Sequence, residues 1–242
     1  MKAMLLLENG TEFRGESLGS SGEVFGEVIF NTAIAGYQEI ITDPANFGKI
    51  VCFAYPLIGN YGVNEEFSES EKVWVSGLVA KEKSPFYSNW QAKLGLEEFL
   101  KKEKVVGITG IDTRTLVIKI RDEGEMWGVI SSEEKSKEEL LKRLVEFKRK
   151  ERKSIFKEVS IKEITRFKGG KKRIVVIDLG ILKSILGQLH SLGLEVILIP
   201  YNTPAKEILK LKPDGVIISS GPEDDIGLSK VIETTKDVHS YI

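Results

Sequence analysis

The last seventy or so residues restrict the fold more than any other stretch. Three nearly continuous apolar runs, "RIVVIDLG" from Arg173, "EVILIPYN" from Glu195 and "DGVIISSG" from Asp214, alternate with amphipathic segments. Strands that are apolar on both faces must be covered on both faces, so runs separated by helices predict a parallel sheet with helices on either side. Open sheets of this kind bind ligands at the carboxyl ends of their strands, because right-handed crossovers bring those ends to one edge. The intervening helices are equally readable. "KSILGQLHSLG" closes on Gly193; Thr203 caps the next helix, with Pro204 at its first position and Ile208, Leu209 and Leu211 facing inward. A final helix is expected in "LSKVIETTKDV".

Up to about residue 130 the signals are mainly those of strands. Asn9-Gly10 sits between two extended runs and supplies the positive φ angles that a tight hairpin turn requires. "GEVIFNTAIAGYQEIITDP", "GKIVCFAYPLIGNYG" and "KVWVSGLVA" follow, rich in β-branched and aromatic residues. Helical spacing appears in "LGLEEFLKKEK", and "GITGIDTRTLVIKIRDEG" reads as a turn entering a helix.

Between Ser131 and Arg173 the composition changes. This stretch holds 16 Lys or Arg against 8 Glu, about +8, in a chain whose formal net charge is -1. "SKEELLKRLVEF" has capping-box spacing from Ser136 to Glu139, with Leu140, Leu141, Leu144 and Val145 in one stripe. The basic runs "KRKERK" and "FKGGKKR" read as solvated connector, since no interleaved aromatics or nucleic-acid motif accompany them. The chain is therefore an α/β protein of three parts. A mixed α and β N-terminal domain spans 1–130, a helical, basic connector 131–172, and the incomplete start of a doubly wound parallel-sheet domain 173–242.

With 242 residues and 41% apolar content the chain can bury a core of its own. Its single cysteine, Cys52, leaves no internal disulfide, which fits a cytoplasmic location. No apolar run reaches the length needed to cross a membrane. No cofactor is expected: "RIVVIDLG" is followed by no Gly-x-Gly-x-x-Gly, and no Gly-rich Lys-Ser/Thr loop for ATP is present. Metal sites are not expected either, because Cys52, His190 and His239 lack ligand spacing.

Taken together, "GEVIFNTAIAGYQEIITDPANFGKIVCFAYPLIGNYG" and "GITGIDTRTLVIKIRDEG" resemble the N-terminal half of the glutamine-hydrolysing small subunits of carbamoyl phosphate synthetases. "VVIDLG" and "LKPDGVIISSGP" resemble the start of their class I glutamine amidotransferase domain. The resemblance implies a large-subunit partner that receives ammonia released from glutamine. In that family a cysteine attacks the glutamine amide, a His-Glu pair handles protons, and backbone N–H groups stabilise the oxyanion. It further implies that Gly221 offers one of those amides and lines the glutamine site, together with the positions held here by Glu223 and Ala45.

Two of these positions depart from the family. Gly-Pro-Gly-Asp-Pro becomes Gly221-Pro222-Glu223-Asp224-Asp225, which adds a carboxylate beside the substrate; Ala45 replaces a serine that helps hold glutamine. No catalytic residue is assigned within the chain. Cys52 lies in an apolar strand, His190 in an amphipathic helix and His239 three residues from the last one. The expectation is a chain that stops before the nucleophilic cysteine and is inactive alone as a glutaminase. A non-catalytic docking or regulatory protein that binds the large subunit is the alternative. The uncovered edge of a three-stranded sheet would then need a cover, such as a second chain or self-association.

Overall fold

A computed structural model of the protein describes residues 1–150, 154–223 and 225–240. Asp224 and the end of the basic run at Lys153 lie outside the described residues. The chain divides into two compact units, one of Met1–Thr42 and Gly48–Glu151, the other of Asp43–Phe47 and Arg152–Ile242.

Among the described residues the first unit has nine strands. They are β1 (Lys2–Leu7), β2 (Glu12–Gly19), β3 (Glu23–Asn31), β4 (Ile50–Phe53), β5 (Leu57–Ile58), β6 (Gly77–Val79), β7 (Glu82–Lys83), β8 (Val106–Thr109) and β9 (Met126–Ser131). Seven of them close a barrel in the order β1-β2-β8-β6-β4-β3-β9, while β5 and β7 form a small separate ladder. Closure is made by β1 against β9, antiparallel, with Met4 opposite Ser131. A closed barrel removes the unpaired strand edges that invite aggregation. The Asn9-Gly10 turn is found, with the Leu7 N–H donating to the Thr11 carbonyl, but Gly10 alone supplies a positive φ, 84°, and Asn9 does not.

Among the described residues, four α-helices accompany the barrel: α1 (Tyr37–Ile41), α2 (Leu96–Lys102), α3 (Thr113–Glu123) and α4 (Lys137–Lys150). Asp112 caps α3 by accepting the Thr115 N–H at 3.0 Å, which fixes the turn-to-helix reading of that segment. Ser136 accepts the Glu139 N–H at the start of α4. That helix seats Leu140 against Leu6 and Val129 of the barrel and also buries Leu144, whereas Val145 is exposed. Glu23, nearly buried, anchors it further by pairing with Arg143 and with Lys135 at 2.6 Å.

The second unit holds β10 (Thr165–Phe167), β11 (Arg173–Asp178), β12 (Glu195–Pro200) and β13 (Gly215–Ile218), in the order β10-β12-β11-β13. β11, β12 and β13 run parallel, as their apolar runs predict, and Val175, Ile177, Ile197 and Ile199 are at most 1% exposed. Their flanking helices are α5 (Phe156–Val159), α6 (Lys183–Ser191), α7 (Ala205–Lys210) and α8 (Leu228–His239). Among the described residues β13 pairs only with β11, so its other edge is open. An apolar cavity of 210 Å³, lined by Ile218, Leu228 and Ile232 among others, adjoins this strand. No helix of the described residues is long and apolar enough to cross a membrane.

Two expectations need correction. The sheet has a fourth strand, β10, which runs antiparallel to β12 and arises from the supposed connector. Its three residues are all exposed, so burial leaves no apolar signature to read there. Thr203 does not cap α7: its hydroxyl donates to the Pro200 carbonyl at 2.8 Å, and the cap position is Pro204, without a side-chain hydrogen bond. The chain turns back on β12 before the helix begins, and that tighter turn takes the hydroxyl.

Candidate functional site

β11 lies between β12 and β13, so the chain leaves β11 to one side and later returns to its other side. The crevice between diverging connections at β11 and β13 is where open parallel sheets hold ligands. Two loops meet there, one from Leu179 to Leu182 and one from Ser219 to Gly227. The Leu179 N–H donates to Ser219 Oγ at 2.8 Å, and the Ser219 N–H donates to the Ile177 carbonyl at 3.0 Å. Gly221 then passes so close to Leu179 that a Cβ would stand 2.1 Å from its carbonyl oxygen and 2.7 Å from its Cβ. Only glycine fits this approach.

On the other side of the Leu179 turn, Gly180 adopts φ 116°, and a Cβ there would meet the Pro44 ring at 2.7 Å. Pro44 belongs to a single 3₁₀ turn, Pro44–Asn46, that is part of the second unit although it precedes the barrel's fourth strand in sequence. Asp43 holds this turn by accepting the Ala45 N–H at 2.8 Å. The Asp178-Leu179-Gly180 segment is thus flanked by the segment carrying Ala45 and by the loop carrying Gly221. Glu223, two residues on from Gly221, is exposed.

Buried carboxylates stiffen both loops. Asp178, 2% exposed, accepts the N–H groups of Gly180 (2.9 Å), Ile181 (2.8 Å) and Ile161 (2.7 Å). Asp225, 6% exposed, accepts the Phe156 N–H at 2.7 Å and the Gly227 N–H. Sequence reasoning passed over Asp178 and treated Asp225 only as a motif change. A carboxylate ending an apolar strand was the available signal for Asp178, since a buried charge needs partners.

The remaining candidates lie elsewhere. Cys52 sits on β4 in the barrel core with no exposed surface, and burial pushes its thiol up to about 12. A thiol so placed is neither a ready nucleophile nor accessible. His190 is exposed on α6, and His239 is the exposed last residue of α8. Among the described residues no three His, Cys, Asp or Glu side chains are grouped to hold a metal.

The Cys52 environment carries a linkage prediction. In the unfolded chain the thiol ionises near its usual value of about 8.5, whereas in the fold it holds its proton to about 12. Above about pH 8.5 the unfolded state therefore binds fewer protons, and stability falls by up to about 1.4 kcal/mol per pH unit. Tyr37, also pushed up by burial, contributes separately above about pH 10. Urea titrations between pH 8 and 10 are expected to show a shallower decline in Cys52→Ala than in the parent; equal slopes refute the assignment. An aromatic disulfide reagent should label Cys52 only after unfolding.

A closed barrel followed by a parallel sheet with a glycine loop at its switch point is consistent with a chain that enters a glutamine amidotransferase domain. Residues 175–241 accordingly match the family model "Glutamine amidotransferase class-I". Residues 5–130 match that of the carbamoyl-phosphate synthase small chain, CPSase domain. The chain belongs to the carbamoyl phosphate synthase small chain family. It is 44% identical to the carbamoyl phosphate synthase small chain of Listeria monocytogenes serotype 4b, over 100% of this chain and 66% of that protein. It is 43% identical to the pyrimidine-specific small chain of Bacillus subtilis, over 98% of this chain and 65% of the relative. With the small chain of Thermotoga maritima the identity is also 43%, over 98% and 61%. The chain thus spans just under two thirds of the length of these relatives.

Proposed function

We propose that this chain is the small-chain component of a glutamine-dependent carbamoyl phosphate synthase and forms the oxyanion side of a glutamine pocket. The observation that carries this reading is the Gly221 loop, held against Leu179 at the switch point. In an amide-cleaving site a thiolate adds to the carboxamide carbon, the carbonyl oxygen takes the negative charge, and ammonia leaves as the C–N bond breaks. Our reading gives the Gly221 N–H the role of donor to that oxygen, with Ala45 and Glu223 lining the pocket. The burial of Cys52 speaks against it as the thiol. On our reading the thiol is supplied by polypeptide outside these 242 residues.

The test measures ammonia release from glutamine by the purified chain alone and after mixing with the unmatched part of the Listeria relative. None is expected from the chain alone and some from the mixture. Ammonia from the 242 residues by themselves sinks the proposal. Glu223 and Ala45 give a further expectation. Exchanging both for the family residues, Glu223→Gly with Ala45→Ser, removes a carboxylate beside the ligand's own and restores one hydrogen bond. Glutamine affinity by calorimetry should rise by about tenfold or more, since one charge-assisted contact is worth roughly 1.5–3 kcal/mol.

A docking role for the barrel unit, with or without catalysis, has an observation of its own. Residues 84–92 carry no charge in a chain that is 29% charged, yet Phe86 is 82% exposed and Trp90 91% exposed. Solvent alone does not favour such residues there, and exposed aromatics of this kind anchor protein interfaces. In a pull-down with a carbamoyl phosphate synthase large chain, Phe86→Ala with Trp90→Ala should weaken capture about thirtyfold while leaving the melting temperature unchanged. Undiminished capture places the interface elsewhere.

A further inference from the structure

We propose that Ser154–Ile161, the segment entering the second unit, is a clasp that fixes the Gly221 loop, with Asp178 and Asp225 as its positioning residues. The inference rests on the reading of Gly221 as ligand-facing. Three contacts carry it, one to each loop at the carboxyl edge of the parallel sheet. The Ile161 N–H donates to Asp178 at the end of β11, 2.7 Å away. Ser160 Oγ accepts the N–H of Tyr201, just past β12, at 3.1 Å. The Phe156 N–H donates to Asp225, beyond β13, at 2.7 Å, and Ser154 Oγ reaches the same carboxylate at 3.4 Å.

Phe156 anchors this segment. Its side chain is fully buried, packs at 5.5 Å on the Tyr201 ring, and belongs to the core formed with Val175, Ile177 and Val231. A segment so anchored touches all three loops, two of which are also joined through Leu179 and Ser219. Both carboxylates are almost fully buried and bond both to their own loop and to the clasp. Asp178 serves Gly180 and Ile181 with one oxygen and Ile161 with the other, while Asp225 serves Phe156 with one and both Gly227 and Ser154 with the other. Loosening either link should therefore release the clasp from both loops, because buried hydrogen-bond networks act as units rather than as sums of pairs.

Residue-resolved hydrogen exchange on the full chain, without glutamine, tests this. In Asp225→Asn, exchange at Ile161, Gly180 and Ser219, whose N–H donates to the Ile177 carbonyl at the root of the Gly221 loop, is expected to accelerate at least tenfold, although Asp225 bonds to none of them. In Asp178→Asn the same is expected at Phe156, Gly227 and Ser219. Ile208→Val, a conservative change in the same core, should leave all these amides as they are. If either Asn variant does not fold, Ser160→Ala, which removes the middle contact, is read at the same amides. Acceleration confined to the directly bonded amides, or an equal response to Ile208→Val, overturns the clasp. Since no ligand enters the readout, failed glutamine binding counts against the pocket and leaves this result intact.

Discussion

Gly221→Ala is expected to destabilise the protein by about 3 kcal/mol, toward the upper end of the cost of overpacking. A methyl group there would lie 2.1 Å from the Leu179 carbonyl oxygen and 2.9 Å from its carbon, and neither backbone atom can rotate away. The loop must lift from β11, so the Leu179 to Ser219 hydrogen bond is lost as well. Urea unfolding should show a lower midpoint with an unchanged slope. Gly187 provides the opposite control. It lies within α6, a Cβ on it meets nothing within 4 Å, and Gly187→Ala should raise stability by about 1 kcal/mol through helix propensity. If both alanine variants behave alike, the close approach at Gly221 is not what fixes the loop.

Phe156→Ala should cost about 4 kcal/mol, as expected for removing a fully buried aromatic side chain. Phe156→Leu, which keeps most of the apolar volume, should cost less than half as much. Both are read by thermal and urea unfolding of the full chain. The expectation is specific, because Phe156 lies in a stretch of 16 Lys or Arg against 8 Glu whose composition describes a solvated connector. A loss below 1 kcal/mol for the alanine variant means that the side chain is not a core member.

The strands and most helices of residues 173–240 were legible because their signals are local, the cap of α7 excepted. β11 and β12 bury uninterrupted apolar runs, β13 carries one that the open edge leaves only partly covered, and α6 and α8 end where their periodicity ends. The barrel was not legible as a barrel. Its strands could be read one by one, but closure depends on β1 finding β9 and β2 finding β8, partners that no periodicity names. The same limit hid much of the candidate site. Gly221 stood out within its Gly-Pro turn, whereas its need for glycine comes from Leu179, forty residues earlier by chain position and adjacent only after folding. Phe156 was hidden for another reason: one aromatic among lysines and glutamates has no stripe of its own.

Asp43–Phe47 has a practical consequence for anyone dissecting this molecule. The segment is threaded from the amino-terminal portion into the other compact unit, where Pro44 lies over Gly180. No single cut of the chain therefore separates the two units cleanly. A fragment beginning near residue 154 lacks its Pro44 cover and exposes a bare glycine turn to water, while the complementary fragment carries a short orphan loop with nowhere to rest. Grafting experiments that exchange the two halves between relatives should move residues 43–47 with the carboxyl-terminal half.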